Sequence, residues 1–578
     1  MDNADIAAIF RELADLLELK GENPFKVRAY RRAADKIESL PEDAAMLAAE
    51  GRLKSIEGIG EAIEKKTAEI VATGKLGLLE ELKREVPPGL RGMLRIPGVG
   101  PRTAAAVFQH LGVASVDDLE KAARDGKLRS IPGMGPKSEE NILRAIEKLR
   151  EDSWRRVPLA VARVLANSLL DMIEPVEGVH NAAAAGSLRR LKETCGDLDI
   201  VVGADTVNRV IEAVRAWREV SEVLSQGEER GTFLTRDGVN VDVWVVPPAE
   251  FVTALHHATG SKAHNVRLRG MARERGLKIN EHGVFRETGG ALPISTEADI
   301  YGALGLQYIP PELREDEGEI EAAAEGRLPS LLQEKDIRGD LHVHSDWSDG
   351  LSSIDTMAAA AKARGYGYLA ICDHSKSLGI AGGLSEDEIL KQIEFISETN
   401  KRITGITVLS GTEVDIRKDG GLDYPDSVLS RLDVVVASVH SAFRQSKETM
   451  TNRIITAIRN GNVDIIAHPT GRVLGARDGY EVDMESVIEE AARHKVALEI
   501  NAYPERLDLD SGWARRAMER GAVLAINTDS HSADQLGFMP YGVGVARRAW
   551  LERSHVLNAW PLPRLRQWLR ERRRQGAR

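Results

Sequence analysis

Seven short apolar segments follow one another between Gly339 and Ile526, each separated from the next by a stretch of helical periodicity. They are Gly339 to His344, Tyr368 to Cys372, Thr407 to Gly411, Asp433 to Val439, Val463 to Ala467, Val496 to Ile500, and Val523 to Ile526. Apolar strands that alternate with helices favour a parallel sheet, because each helix returns the chain to the same edge. The pattern therefore predicts a parallel barrel of seven β/α units.

Polar side chains gather at or just past the C-terminal ends of these predicted strands, which form the catalytic face of a parallel barrel. Six of the chain's 14 histidines fall there with three carboxylates: His342, His344, Asp349, His374, Glu413, His440, His468, Asp529 and His531. Mixed imidazole and carboxylate sites bind Zn²⁺, Mn²⁺ or Fe²⁺, and such a cluster can activate water for attack on a phosphoester. The sequence predicts a metal-dependent phosphoesterase site at this edge.

A second candidate site lies in the stretch from Gly186 to Val202. Asp197 and Asp199 stand two residues apart in a segment that continues into apolar residues, so on a strand both carboxylates project from one face. A third acid, Asp242, lies in the alternating segment 239–246. A lone Asp-Leu-Asp could equally mark an exposed strand end. Three acids on two strands can hold two divalent cations such as Mg²⁺.

Phosphate-binding groups precede these acids along the chain. Gly186 and Ser187 are followed closely by Arg189 and Arg190. Backbone N–H groups, a hydroxyl and guanidinium groups are what a triphosphate needs at close range. We therefore expect a nucleotide site beside the carboxylates.

The first 150 residues show helical spacing and a short internal repeat. Three copies of an Ile-x-Gly-x-Gly pattern each open a new helix, with glycines at Gly58 and Gly60, Gly98 and Gly100, and Gly133 and Gly135. Glycine lets the backbone approach closely, so N–H groups at the next helix start can bind a DNA phosphate without reading sequence. The repeats predict helix-hairpin-helix motifs that bind DNA.

Composition places the chain among globular proteins of several domains. Its 578 residues predict three or four compact units, and its two cysteines exclude a disulfide framework. The formal net charge of −11 hides opposite local patches: the run from Glu312 to Glu325 is acidic, and Arg564 to Arg578 is basic. This basic tail either holds DNA or forms a solvated helix. No long apolar run and no basic signal-peptide start are found, so we expect a soluble cytoplasmic protein without membrane contact.

The pattern of Gly186-Ser187, Arg189-Arg190, Gly196 and the three acids resembles the palm of the family X DNA polymerases. The resemblance implies that Asp197, Asp199 and Asp242 are catalytic and bind Mg²⁺ or Mn²⁺. It also implies that Gly186, Ser187, Arg190 and Gly196 bind the incoming nucleotide. Family members commonly have Gly where this chain has Leu191.

A thumb-like segment follows the palm. Thr259-Gly260-Ser261 with Asn265 and Arg269 resembles the family X thumb, in which Asn contacts the nucleotide and Arg reaches the template minor groove. This chain has His257-Ala258 where polymerase beta has an aromatic pair that helps to select the sugar. We interpret His256, His257 and His264 as DNA or nucleotide contacts rather than as a metal site.

The segment around Asn23 to Arg32 resembles the small N-terminal domain of polymerase beta. By that resemblance Lys26 and Tyr30 bind a 5′-phosphate. Lys66 aligns with the Schiff-base lysine that removes a deoxyribose phosphate. A solvated helix lysine explains Lys66 equally well, and Ala62 stands where the family often has a phosphate-binding lysine.

The motif Asp340-Leu341-His342-Val343-His344, with the later histidine and acid motifs, closely resembles the polymerase and histidinol phosphatase (PHP) domain. All nine family ligand positions are filled. The resemblance implies three divalent metals and an Mn²⁺-dependent 3′–5′ exonuclease that also processes 3′ ends.

Together these resemblances predict a bacterial-type family X DNA polymerase with a C-terminal PHP domain. Such an enzyme fills short gaps in base excision repair, with gapped or nicked duplex DNA and deoxynucleoside triphosphates as partners and a monomer as the default state. Two alternatives stay open. One is a PHP-type phosphoesterase whose degenerate palm only binds DNA, supported by Leu191 and by Trp244 in place of a basic residue. The other is a non-catalytic repair platform.

The predicted architecture has an α-helical helix-hairpin-helix region, an α+β nucleotidyltransferase palm and thumb, and a distorted (β/α)7 barrel. The predicted limits are 1–82 for the N-terminal helical domain, 83–150 for further DNA-binding hairpins, 151–250 for the palm, 251–314 for the thumb, 315–335 for a linker or edge helix, and 336–578 for the PHP domain.

Overall fold

A computed structural model of the chain describes residues 3–20, 22, 24–39, 44–49, 52–56, 59–73, 76–79, 82, 93, 99–113, 116–131, 134–152, 156–227 and 229–576. The chain forms two compact units, the first of residues 1–154 with Leu378–Ala381 and the second of residues 155–377 with 382–578. None of the described helices is both long and apolar enough to cross a lipid bilayer.

The first unit is helical, as its apolar spacing predicts. Its described helices are Asn3–Leu19, Pro24–Ser39, Ala44–Ala49, Glu61–Thr73, Pro101–Leu111, Val116–Arg124 and Pro136–Asp152. Ile6, Phe10, Leu13 and Leu17 recur at helical spacing on the first of these and are buried in one core with residues from the others. Gly100 directly precedes its helix, as the hairpin pattern predicts.

The palm is built on a five-stranded sheet. The seven described strands of this region are β1 (Val157–Pro158), β2 (Val179–Ala184), β3 (Thr194–Cys195), β4 (Asp197–Ala204), β5 (Val220–Gln226), β6 (Arg230–Thr235) and β7 (Asn240–Val246). β1 and β3 form a separate pair, and the main sheet has the order β2-β4-β7-β6-β5. β4 and β7 run parallel, with Asp199 opposite Asp242 in the register. This pairing brings the two acidic segments of the sequence side by side.

Helices cover both faces of this sheet. Ile200 and Val202 pack with the helices Leu159–Ile173 and Val207–Ala216, whereas Val201 packs with Ala254 and Leu255 of the helix Phe251–Thr259. The alternation follows from the period of two along a strand. The short helix Gly186–Arg189 lies between β2 and β3.

The thumb contains the helices Phe251–Thr259, Lys262–Glu274 and Glu297–Ala303 with the hairpin of β8 (Leu277–Asn280) and β9 (Gly283–Arg286). The helix Glu319–Ala324 adds Ile320 and Ala323 to the thumb core. The segment interpreted as a linker or edge helix is therefore packed into the thumb, because its apolar residues have a core to fill.

The interpretation of His256 and His264 as DNA or nucleotide contacts is wrong. Both are buried in the thumb, where each imidazole lies about one hydrogen-bond length from the Tyr301 hydroxyl, at 3.1 and 3.0 Å. His264 also contacts the buried Glu319 carboxylate at 2.7 Å. These polar groups satisfy one another inside the core, as buried polar groups must.

The last region is a parallel barrel, as predicted. Its strands are β10 (Gly339–Val343), β11 (Tyr368–Ile371), β12 (Thr407–Asp415), β13 (Val434–Ser438), β14 (Ile465–Ile466), β15 (Ala497–Asn501) and β16 (Leu524–Asn527), paired in sequence order. The main-chain N–H of Asp529 donates to His342 O, and that of His344 donates to Ser530 O, which joins the last strand to the first. β12 is longer than predicted, so Glu413 lies within it.

The barrel helices are Ile354–Ala363, Glu386–Arg402, Asp426–Leu429, Lys447–Ile458, Met484–His494, Ser511–Glu519, Met539–Arg548 and Leu562–Gly576. The last of these carries the basic tail. Leu565 and Leu569 pack with side chains inside the barrel, and Arg572, only 2% exposed, donates to Asp464 at 2.8 Å. The basic tail was interpreted either as a solvated helix or as a DNA-binding segment. Neither interpretation holds for Arg572, because this arginine is buried in the packing of the barrel.

Candidate active sites in the palm and the barrel

The three palm carboxylates lie on β4 and β7, which run side by side. Asp197 is exposed, Asp199 is partly buried, and Asp242 is 8% exposed. Burial raises the pKa of Asp199 to about 7, and the neighbouring charges of Asp197 and Asp242 act in the same direction. A carboxyl whose ionised form is disfavoured by two other acids is relieved when a divalent cation binds between them.

Gly186 is required where the chain passes Asp199. A Cβ built on this residue would lie 2.1 Å from Asp199 Oδ2, and its backbone has φ +56°. Both facts disfavour any residue with a Cβ at this position. The Ala185 N–H donates to Asp199 O at 2.8 Å, so the short helix Gly186–Arg189 is held directly against the carboxylates. Ser187, on this helix, is thereby placed beside them.

An open cavity of about 570 Å³ lies next to the carboxylates. Its lining includes all five predicted nucleotide-binding residues, Gly186, Ser187, Arg190, Gly196 and Asn265. Two of the three predicted catalytic acids, Asp197 and Asp199, and the predicted DNA-binding Arg269 line it as well. Trp244 Nε1 and Asn265 Oδ1 are buried there and have no hydrogen-bond partner in the described part of the chain. Such unsatisfied groups indicate a polar ligand. Arg156, Lys192 and Lys262, which the sequence did not single out, add positive charge to the lining.

Asp242 is already engaged in the structure. Thr232 Oγ1 donates to its Oδ1 at 2.6 Å, and Arg230 Nη2 lies 2.6 Å from its Oδ2. Arg230 also stacks over the Trp244 ring, 4.8 Å from the centroid. Of the compact groups of metal-ligating side chains found among the described residues, none consists of the palm acids. The ligand atoms of these three acids are therefore more widely spaced than those of each compact group found among the described residues.

The two neighbouring arginines have different partners. Arg189 donates to both oxygens of Glu297, at 2.9 and 2.7 Å, which fixes it to the thumb. Arg190 lines the cavity, while its Nε donates to Glu315 at 3.0 Å and its Nη1 donates to Thr259 O. The prediction singled out Arg190 as the nucleotide-binding arginine, and only Arg190 of the pair lines the cavity.

The nine predicted barrel residues converge at the C-terminal edge of the barrel. They form three overlapping groups of candidate ligands: His344, Asp349, His374 and His531; His342, His344 and Asp529; and His374, Glu413 and His440. The ligand atoms of each group lie within 4.8 Å of one another. His468 joins through its Nε2, which is 3.1 Å from Glu413 Oε1. His344 and His374 each belong to two groups, so the positions are contiguous.

The donor set fits divalent cations. His342 Nε2 and His344 Nδ1 are buried and have no hydrogen-bond partner among the described residues, although carboxylate oxygens lie 3.5 and 3.8 Å away. Nitrogens and oxygens that face one another at such distances are placed to share an ion. Burial lowers the pKa of His344 to about 3, and His531 and His374 act in the same direction. His344 is therefore neutral and able to act as a ligand at ordinary pH.

Further acids orient these ligands and were missed from sequence. Glu499 Oε1 lies 2.8 Å from His342 Nδ1, and Asp415 Oδ1 lies 2.8 Å from His440 Nδ1. A carboxylate on the second ring nitrogen fixes the orientation of an imidazole ligand. Burial alone would lower the pKa of His440, but Glu413 and Asp415 raise it to about 9. A signal for Glu499 was present, since it is an acid inside the apolar strand 497–501.

The helix-hairpin-helix glycines Gly60, Gly100 and Gly135 lie at helix starts; Gly58, Gly98 and Gly133 lie outside the described residues. Among the described residues, a Cβ at any of the first three would meet no atom within 4 Å, and none of these three glycines has positive φ. The protein's own packing and the local backbone thus do not require glycine there. An open backbone approach, as a phosphate would use, does explain it.

Two of these hairpins share an unforeseen buried acid. Glu64 stands four residues after Gly60 and accepts from the Lys54 N–H at 2.8 Å, while Glu139 stands four after Gly135 and accepts from the Arg129 N–H at 3.1 Å. The same offset in both copies shows that the repeat is structural. Ala104 occupies this place in the middle copy.

The two residues predicted to bind a 5′-phosphate, Lys26 and Tyr30, differ in their exposure. Lys26 is exposed and lies 3.4 Å from Glu22, whereas Tyr30 is 6% exposed and stacks on Phe10 with ring centroids 6.0 Å apart. Lys66 is partly buried on the helix Glu61–Thr73. Their roles stay predictions.

Comparison with known proteins finds similarity over nearly the whole chain. Four family models match: a helix-hairpin-helix domain over 1–76, a SAM-like helix-hairpin-helix tandem over 90–148, a DNA polymerase beta thumb over 254–315, and a PHP domain over 340–503. The DNA polymerase/3′-5′ exonuclease PolX of Bacillus subtilis (strain 168) is 39% identical over 562 residues, which is 97% of this chain and 98% of the relative. A probable phosphatase of Shewanella loihica is 31% identical over 232 residues, 38% of this chain and 89% of that protein.

The fold and the two sites define a class of DNA-binding proteins in which a carboxylate-bearing palm is joined to a metal-ligating barrel. Within that class, the near full-length match decides the family. The chain belongs to the family X DNA polymerases that carry helix-hairpin-helix, thumb and C-terminal PHP domains.

Proposed function

We propose that this protein is a DNA-directed DNA polymerase that also has 3′–5′ exonuclease activity. The observation that carries the proposal is the presence of two separate and complete residue sets in one chain. Paired acids stand beside an open polar cavity in the palm, and nine convergent ligands stand in the barrel. The name of the Bacillus subtilis relative supports both activities.

In the palm, Asp197, Asp199 and Asp242 would hold Mg²⁺ or Mn²⁺. Bound ions there would activate the primer 3′-hydroxyl and neutralise charge on the triphosphate. Gly186 and Gly196 leave space for phosphate, and Ser187 and Arg190 bind it. Asn265 contacts the nucleotide, and Arg269 contacts the template. Trp244 Nε1, which has no partner in the described chain, supplies a further donor to the cavity.

In the barrel, the nine ligands would hold three divalent ions of Zn²⁺, Mn²⁺ or Fe²⁺. Their chemistry when bound is to activate water for attack on the terminal phosphodiester. Glu499 and Asp415 keep His342 and His440 oriented for this task.

DNA would be held by N–H groups in the first turns of the helices that follow Gly60, Gly100 and Gly135, with Lys26 and Tyr30 on a 5′-phosphate. These contacts suit the filling of short gaps in base excision repair. Lys66 is a candidate lyase residue, and a monomer working in the cytoplasm is the simplest state for such an enzyme. The domain limits given above remain part of this proposal, except that 315–324 is better assigned to the thumb.

One assay tests the two activities together. A 5′-labelled primer is annealed across a one-nucleotide gap with a 5′-phosphate and incubated in Mn²⁺ with and without nucleotides. We expect Asp197→Ala to abolish extension but retain shortening, and His344→Ala to do the reverse. If His344→Ala leaves shortening intact, the barrel is not the exonuclease.

The same assay decides the alternative in which the palm only binds DNA. The likeness of part of the chain to a probable phosphatase is the observation that supports this alternative, in which phosphoester hydrolysis is the enzyme's main reaction. In that case the wild type would shorten the primer and never extend it. Leu191 no longer supports this alternative, because it adopts the positive φ of +53° that suits the glycine of relatives.

A further inference from the structure

A buried ion network connects the phosphate-binding loop of the palm with a helix of the barrel. Glu315 Oε1 accepts from Arg190 Nε at 3.0 Å and from Arg548 Nη1 at 3.0 Å. The side chains are 13%, 12% and 9% exposed for Glu315, Arg190 and Arg548. Arg548 is the last residue of the barrel helix Met539–Arg548. An ion pair this sheltered is only weakly screened by salt.

Arg548 also holds the main chain of the loop. Its Nη1 donates to the Arg190 carbonyl oxygen at 3.0 Å, in addition to its bond to Glu315. One guanidinium therefore restrains both the backbone and, through Glu315, the side chain of Arg190. Lys192 Nζ lies 3.8 Å from the same carboxylate. Three cations thus share one carboxylate, which leaves an excess of positive charge at the wall of the cavity.

Leu191 packs onto the same barrel helix. Its side chain lies 3.0 Å from the position of a Cβ built on Gly544, and it shares a core with Tyr541. Leu191 has φ +53°, a conformation that favours glycine and that leucine adopts at a cost. The contact with the barrel explains why leucine is tolerated at this place. Further along the loop, Arg472 Nη1 of the barrel lies 3.1 Å from Glu193 Oε2.

We propose that Arg548 is a positioning residue for nucleotide binding in the palm, and that the barrel thereby sets the affinity of the polymerase for its nucleotide. This inference rests on the proposed polymerase function and adds a role for the barrel beyond its own chemistry. Arg548 acts through Arg190. Without Arg548, the Glu315 carboxylate has only Arg190 and Lys192 as cationic partners, so more of its charge acts on Arg190. The Arg190 carbonyl oxygen also loses the hydrogen bond that holds it in place. Both changes weaken phosphate binding by Arg190.

The test compares full-length wild type with Arg548→Ala, Arg548→Lys and Arg547→Ala. Arg547 is the matched control, because it stands next to Arg548 and donates to Glu312 at 2.7 Å and to Leu332 O, whereas it makes no hydrogen bond to residues 186–193 within the described chain. Single-nucleotide gap filling gives kcat and KM for the nucleotide, equilibrium titration gives its Kd, and primer shortening gives the exonuclease rate.

For Arg548→Ala we expect KM and Kd for the nucleotide to rise about tenfold, the usual size of one lost charge-assisted hydrogen bond. The kcat and the exonuclease rate stay within about twofold, as for a local change. Lysine can still donate to both acceptors, so Arg548→Lys restores most of the affinity. Arg547→Ala leaves KM unchanged.

A second variant guards against loss of folding in Arg548→Ala. Leu191→Gly removes the apolar contact with the barrel without removing a charge, and we expect a smaller rise in KM with kcat retained. Unchanged KM in both variants overturns the inference, and so does an equal fall of incorporation and exonuclease, which indicates damage to the whole fold. Absence of incorporation by the wild type would instead overturn the proposed polymerase function.

Discussion

At the scale of single residues, Asp199 makes metal binding in the palm depend on pH. Its pKa is raised to about 7 by burial and by the charges of Asp197 and Asp242. Below that pH the carboxyl is protonated, and a proton must leave before a cation binds. Above it the carboxylate is already ionised, so further increase in pH gives no gain.

We therefore expect the half-saturating Mg²⁺ concentration for nucleotide incorporation to rise roughly tenfold per unit as pH falls below about 7, and to be flat above it. The measurement is a Mg²⁺ titration of gap filling at several pH values with saturating DNA and nucleotide. A half-saturating concentration that is constant from pH 6 to 8 would contradict the raised pKa.

Arg230 is a second residue that tunes this site. It pairs with Asp242 at 2.6 Å and adds a positive charge where a cation must bind. Because the guanidinium is about half exposed, we expect Arg230→Gln to lower the half-saturating Mg²⁺ concentration only about two- to fivefold. Arg209→Gln serves as the control, since Arg209 pairs with the exposed Glu177. Weaker Mg²⁺ binding in Arg230→Gln would show that Arg230 supports the acids.

Site residues could be predicted where their spacing along the chain places them at strand ends. Site residues could not be predicted where their role depends on a contact with a distant part of the sequence. Seven of the nine predicted barrel ligands lie just past strand ends or in the loop that follows, as strand periodicity indicates, whereas His342 and Glu413 lie within β10 and β12. Glu499 and Asp415 act because the barrel brings them against His342 and His440, which no spacing in the sequence shows. His256 and His264 were misjudged for the same reason, since their partners Tyr301 and Glu319 come from distant elements.

At the scale of elements, Glu297 connects the first turn of the thumb helix Glu297–Ala303 to two arginines, Arg189 and Arg314. It accepts two bonds from Arg189 and one, at 2.8 Å, from the fully buried Arg314. We expect Glu297→Gln to destabilise this region by about 3–5 kcal/mol, because it leaves Arg314 buried without an anion. Hydrogen exchange in peptides that cover Glu297–Ala303 measures the effect.

Glu325→Gln is the control for that experiment, since Glu325 is exposed and, within the described part of the chain, forms an ion pair only with nearby Arg327. The control variant should exchange as the wild type does. Protection that persists in Glu297→Gln would mean that Tyr301 and Tyr308, which lie against the Arg314 guanidinium, are sufficient to keep the charge buried.

Elements were predicted best where one face is apolar throughout. The seven barrel strands and the helices of the first unit follow simple periodicities, and they were found. One element that was misread in part is Leu562–Gly576, where arginines dominate the sequence. Its few apolar residues cover the inside of the barrel, and Arg572 and Arg573 bind Asp464, so charge counting hid a packed helix.

At the scale of the whole molecule, the barrel buries many ionisable groups close together, and bound metal ions would stabilise their charges. Glu413 is 1% exposed and lies within 3.2 Å of nitrogens from His374, His440 and His468. Such a buried cluster of charges is costly when the ions that order it are removed. The palm has only three acids at an open cavity, so it should depend far less on metal for its fold.

Chelation should therefore destabilise the barrel selectively. If the ions are present at about a thousand times their Kd, their binding adds about 4 kcal/mol, which for a domain of this size corresponds to about 10 °C in Tm. Scanning calorimetry of the full chain with and without EDTA measures the shift. His344→Ala, which removes a ligand shared by two of the three groups, should show a smaller shift, whereas Asp197→Ala should respond as the wild type does. An equal response of His344→Ala and wild type would mean that the metals stabilise the protein elsewhere.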